Sequence, residues 1–129
     1  MADPRFVFLS RAVSNEQGEV IGETVTWMVV SPNSRPLGRA AAWFADFDTC
    51  RDAVTPLRNR ASEIKVVISA ARGQWYWRGL LDGIITAVST RDYLRQHECD
   101  YNVRRFIEAL PLAQIPLVVR TVGTGSKRI

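Results

Sequence analysis

An imperfect internal repeat of about 50 residues restricts the fold of this chain more than any other feature, because a duplicated unit fixes the architecture before function is argued. Its clearer copy holds Gln74-Trp75-Tyr76-Trp77-Arg78, then Asp82-Gly83, then Ile84-Ile85-Thr86-Ala87-Val88-Ser89. The alternation predicts a hairpin with Trp75 and Trp77 on one face, and Asp-Gly is a pair that two-residue hairpin loops favour. The fainter copy is read 48 residues earlier, with Trp27 in the place of Trp75. There Trp27 and Val29 share a strand face, Ser31-Pro32-Asn33-Ser34-Arg35-Pro36 supplies the turn, and 37–43 returns. After one added residue the likeness continues, with Phe44, Cys50, Val54 and Leu57 matching Tyr93, Cys99, Val103 and Phe106.

Along the first copy, strands are expected over 6–13, over 19–30 with an interruption near Gly22, and over 37–43, whose alanines are poor sheet formers. From Asp48, a suitable N-cap, the apolar positions Cys50, Ala53, Val54 and Leu57 fall at helical spacing. Pro56 is expected to kink or end that helix at Thr55. The second copy reads as a strand over 64–70, a turn at Ala71-Arg72-Gly73, strands around Trp77 and Ile85, and a helix from Asp92 or Arg95 to Ala109. Cys99, Val103, Phe106, Ile107 and Leu110 form its stripe, and Pro111 stops it. Leu117-Val118-Val119 is expected as a short strand that pairs with, or crosses to, the first unit.

The fold class that follows is α+β. Two tandem β-β-β-α units are related by a pseudo-twofold, with antiparallel sheets, one helix per unit and a short C-terminal strand. Their expected bounds are 5–61 and 62–110, with a strand and basic tail over 111–129. A unit this small buries too little apolar surface to stand alone, so both should share one core in one compact domain. Its expected members are Trp27, Trp75, Trp77, Cys50, Val54, Leu57, Cys99, Val103, Phe106 and Ile107.

The formal charge is +4, and it is placed unevenly. Residues 1–62 hold seven basic against seven acidic side chains, and 63–129 hold ten against six. That asymmetry permits weak attraction to nucleic acid or to an acidic protein. Two cysteines without an export signal read as buried thiols, and no apolar run has the length of a membrane span, so a cytoplasmic setting away from the membrane is expected.

Trp75-Tyr76-Trp77-Arg78, Asp82-Gly83-Ile84-Ile85, Ser89, Tyr93 and the helix through Val103 resemble the YegP-like family of tandem or paired β-β-β-α repeats. The likeness is good over 63–109 and only in outline over 6–60. In the first unit Trp27-Met28-Val29-Val30 stands where the family has Trp-x-Trp-Arg, so that copy lacks the arginine and one indole. The turn asparagine of the family is Asp82 here, and Ser34-Arg35 in the first unit. The resemblance implies the fold; the family carries no established activity to transfer.

The residues point to no catalytic constellation, metal or cofactor. His97 stands two residues from Cys99, a spacing that sends the two side chains different ways on a helix. One histidine and two separated cysteines do not make a usual zinc set. Gly123-Thr124-Gly125-Ser126-Lys127 only echoes a phosphate loop, without its full spacing or a helix behind it. The expected role is a small accessory or adaptor module that binds another protein or its own copy, with nucleic-acid binding as the alternative. The candidate surface is Arg72, Tyr76, Arg78, Arg91, Arg104, Arg105, Lys127 and Arg128, since period two puts Tyr76 and Arg78 opposite the indoles.

Overall fold

The structure is a computed structural model and describes residues 3–122. The three strands of its second unit are joined by two tight turns that the sequence marks clearly. Arg72-Gly73 and Asp82-Gly83 both take positive φ, 55° and 77° in the first pair and 54° and 79° in the second, as type I′ loops require. These turns separate β4 (Lys65–Ala71), β5 (Gln74–Leu81) and β6 (Ile84–Val88), and α2 (Gln96–Ala109) follows. The first unit has β1 (Arg5–Ser14), β2 (Val20–Val30), β3 (Pro36–Ala40) and α1 (Phe47–Asn59). Short 3-10 turns over Ala61–Glu63 and Leu110–Leu112 follow the helices, and β7 (Arg120–Thr121) ends the described chain.

The two β-β-β-α units fuse edge to edge into one seven-stranded sheet of order β4-β5-β6-β3-β2-β1-β7. The junction is antiparallel, pairing Arg39 with Val88 and Ala40 with Ala87, so the pseudo-twofold passes between Arg39 and Val88. The β7 strand lies parallel to β1, pairing Leu9 with Arg120 and Ser10 with Thr121. It therefore joins the first unit, a few residues later than the expected 117–119.

Register corrects the match between the repeats. Isolated antiparallel bridges join Val25 to Phe44 and Trp75 to Tyr93, so Val25 corresponds to Trp75 and Trp27 to Trp77. The first unit thus shows Val25-Thr26-Trp27-Met28 where the second has Trp75-Tyr76-Trp77-Arg78. It keeps the second indole rather than the first. Strand β2 is continuous from Val20 to Val30, and the interruption expected near Gly22 is a register shift, with Val13 paired to Gly22 and Ser14 to Val20; β3 ends at Ala40 rather than at 43.

The cap of α1 is Asp46, whose carboxylate accepts the Thr49 N–H at 2.8 Å, and Asp48 lies within the first turn. The helix also passes Pro56 and reaches Asn59, where Arg60 N–H bonds the Pro56 carbonyl. The expected stop at Thr55 does not occur, because burial of Leu57 below the proline holds the last turn against the sheet.

Both helices lie on the same side of the sheet, over one apolar cluster that includes Phe6, Phe8, Trp27, Val54, Trp77, Val103 and Phe106. Phe106 from α2 sits between the two equivalent indoles. Its ring stacks on Trp27 at 6.4 Å and 7°, and meets Trp77 at 4.9 Å and 38°. Each enclosed indole contributes on the order of 2–3 kcal/mol of apolar burial. Cys50, Val54, Leu57, Cys99 and Val103 are buried with them, whereas Trp75 and Ile107 are only partly buried and pack against the cluster's margin. Gly38 on β3 makes this arrangement possible, since a Cβ there would stand 2.5 Å from Phe106 Cδ1.

Candidate functional site

With both helices on one side, the other side of the sheet has no covering helix. Register and alternation place one row of residues straight across it. Val7 pairs with Met28, Met28 with Arg39, Arg39 with Val88, Val88 with Arg78, and Arg78 with Val67. Six strands at their usual spacing make this row about 24 Å long. Arg39 is exposed, Met28, Val88, Arg78 and Val67 are half-buried, and Val7 is nearly enclosed.

The same face is uniformly basic. Arg5, Arg11, Lys65 and Arg120 join Arg39 and Arg78 at its strand positions, and among the described residues no strand position on it is acidic. Arg78 is steadied by donating from Nη2 to Ser69 Oγ at 3.2 Å, while its enclosed Nε has no acceptor among the described residues. Tyr76 lies beside it, two residues back and facing Ser69 across the ladder. At the other end Arg11 lies 4.1 Å above the ring of Trp43, which is 41% exposed.

The eight residues expected as an interaction surface fall into separate places. Tyr76 and Arg78 are on the open face, and Arg72 is at the tip of the β4–β5 turn. Arg91, over the Tyr93 ring at 5.7 Å, and Arg105, bonded to the Tyr101 hydroxyl at 3.1 Å, line a cleft beside α2. Arg104 is held by Asp100 in an exposed ion pair one turn away. Lys127 and Arg128 lie outside the described residues. The sequence reading missed Arg39 and Met28, and the signal was present in the alternation of Gly38, Arg39 and Ala40.

The two thiols are closed off. Burial pushes the Cys50 thiol up to about 12 and Cys99 up to about 11, and neither side chain touches solvent. His97 is exposed while Cys99 is enclosed. Among the described residues no three of His, Cys, Asp and Glu come together as metal ligands, and no helix is long and apolar enough to cross a membrane. One charged cluster has a structural role: Arg60 at the end of α1 clasps both Asp82 carboxylate oxygens, at 2.8 and 2.7 Å, and also reaches Glu63 at 2.8 Å. It ties the first helix to the second hairpin.

Two solved structures share this architecture. The solution NMR structure of the protein of unknown function yegP from E. coli matches with a TM-score of 0.57 at 11% identity, over 94% of this chain and 93% of that one. The solution NMR structure of a UPF0339 protein from Shewanella oneidensis matches with a TM-score of 0.53 at 8% identity, over 88% and 90%. The chain has the YegP-like fold, as the motif around Trp75 and Trp77 implies. No family model matches it, and no curated protein does.

Proposed function

We propose that this chain is a small, non-catalytic binding module that docks an acidic segment of another protein across the open face of its sheet. The transverse row from Val7 to Val67 carries the reading. Arginine and methionine are enriched at protein interfaces, and here Arg39 and Arg78 alternate with Met28 and Val88 on a face with no acidic strand position among the described residues. Aliphatic side chains between the guanidiniums suit a partner that offers apolar as well as acidic groups. The guanidiniums supply orientation and on-rate, and the aliphatic centre supplies burial.

Single-stranded nucleic acid is the second reading, favoured by Arg11 over Trp43 and by Tyr76 beside Arg78, since rings next to arginines stack bases. Both rings stand at the margins of the face, and its middle has no ring to stack on. The protein reading therefore takes precedence.

A short labelled peptide alternating glutamate with leucine, and an oligo-dT strand, test the two against each other at low salt. The expected result is peptide binding that is lost in Arg39→Glu and in Arg39→Glu/Arg78→Glu, with the unfolding midpoint of Arg39→Glu unchanged. Peptide binding that survives both reversals sinks the proposal. Tight oligo-dT binding that falls steeply with salt, without peptide binding, replaces it by the second reading.

A further inference from the structure

The pseudo-twofold builds the same concavity twice. Each lies between the start of one unit's third strand, the loop that leaves the other unit's third strand, and that other unit's helix. One is a cleft of about 460 Å³ lined by Arg35, Leu37, Arg91, Tyr93, Asn102 and Arg105 among others. The second, of about 260 Å³, is lined at the corresponding places by Ile84, Thr86, Ala42, Phe44 and Ala53. Register shifts after Val29 and after Gly79 bend β3 and β6 alike at Leu37 and Thr86. The backbone of this corner therefore closes with small and apolar residues, and its stability does not call for charge. The charge was nevertheless placed in one copy only.

In the charged cleft, Arg91 lies over the Tyr93 ring and Arg105 over Tyr101 at 5.8 Å. None of Arg35, Arg91 and Arg105 is within an ion pair among the described residues. Asp92 and Glu98 also line the cleft, and Glu98 is already engaged, accepting the Arg95 N–H at 3.2 Å. Three guanidiniums against two carboxylates leave a net positive cleft. Asn102 is fixed by accepting the Trp77 indole N–H through Oδ1 at 2.7 Å, which leaves its amide N–H groups as donors. Its counterpart Ala53 offers Trp27 no such acceptor. The volume lies within the range of small-molecule sites.

We infer that this cleft binds a small organic anion carrying a flat ring, its charged end taken by Arg35 and Arg91 and its ring set against Tyr93 and Leu37. The site is independent of the sheet face. Calorimetric titration with phenyl phosphate tests it, with inorganic phosphate in parallel. Saturable binding of phenyl phosphate is expected, weakened roughly tenfold or more by Arg91→Ala, which removes a charge-assisted hydrogen bond and restores the residue type of the uncharged copy. Arg91 is exposed, so the unfolding midpoint of that variant should match the wild type. Arg39→Glu/Arg78→Glu should bind as the wild type does. Absence of saturable binding, equal binding of inorganic phosphate, or indifference to Arg91→Ala overturns the inference. So does loss of binding in the sheet-face variant, which would put the anion on the open face.

Discussion

The close approach at Gly38 gives the sharpest test of the shared interior. A methyl group added there would lie 2.5 and 2.7 Å from Phe106 Cδ1 and Cε1, and 2.9 Å from Trp77 Cη2. Three ring atoms must therefore give way, on two side chains already packed at 4.9 Å between centroids and enclosed on all sides. Overpacking of this kind costs about 1–3 kcal/mol, and rigid rings put Gly38→Ala near the top of that range. Urea unfolding should show a midpoint about 1 M lower, and a thermal midpoint roughly 10 °C lower, with little change in slope. Phe106→Leu takes away the rigid ring that supplies two of these three atoms, leaving Trp77 Cη2. Gly38→Ala in that background should cost about 1 kcal/mol less than it does alone. A cost of Gly38→Ala below about 0.5 kcal/mol, or strict additivity with Phe106→Leu, would refute the stacked arrangement of Phe106 between the indoles.

Three further outcomes follow from named contacts. Asn102→Ala leaves the buried Trp77 indole N–H without its acceptor and should cost about 1–2 kcal/mol in denaturant unfolding, while Ala53→Asn in the other unit should not lower stability comparably. The hydrogen bonds from Arg60 hold the Asp82 carboxyl below its ordinary range, so this contact stabilises fully above the unfolded carboxylate value of about 3.9 and is lost as pH falls through the lower folded value. The unfolding midpoint of Asp82→Asn, which keeps a side chain suited to positive φ, should thus lie below the wild type at pH 7 and converge on it in acid; a gap that persists to pH 2 would contradict the pairing. Cys50 and Cys99 are enclosed with raised thiol values, so a disulfide reagent at pH 8 should modify the folded protein about a hundredfold more slowly than the protein in urea.

Helical periodicity was the most legible part of the sequence. The stripes Cys50, Val54, Leu57 and Cys99, Val103, Phe106 are buried where their spacing puts them. Strand register was not legible, for a definable reason. Trp27 stands one residue further from Cys50 than Trp77 does from Cys99, and one residue nearer than Trp75 does. Matching it to either indole requires one inserted or deleted residue, and composition does not choose. The choice is made by backbone pairing at Val25–Phe44 and Trp75–Tyr93, which are distant in sequence. The joining of β3 to β6 was hidden for a similar reason, because β3 is a short, alanine-bearing strand whose partner lies in the other unit. Without that junction Arg39 and Arg78 could not be placed in one row, and only the Tyr76-Arg78 half of the face could be named. The charged cleft was out of reach too, since it brings 35–37 against 91–94 across the pseudo-twofold.

Duplication also makes the chain its own control. Where the fold demands a residue, the two copies agree: Trp27 with Trp77, Cys50 with Cys99, Val54 with Val103, all enclosed. Where they disagree at equivalent backbone positions, the scaffold has accepted both versions, and the difference needs another cause. Met28 faces Arg78 in this comparison, Ala42 faces Arg91, and Ala53 faces Asn102. Each time the second unit carries the polar or charged member. Exchanging residues between copies therefore separates stability from binding more cleanly than alanine substitution does, because each incoming side chain is already tolerated in the same backbone setting. If Arg91→Ala unfolds the protein even though Ala42 occupies the equivalent corner, the two corners are not equivalent and the inference drawn from their contrast fails with them.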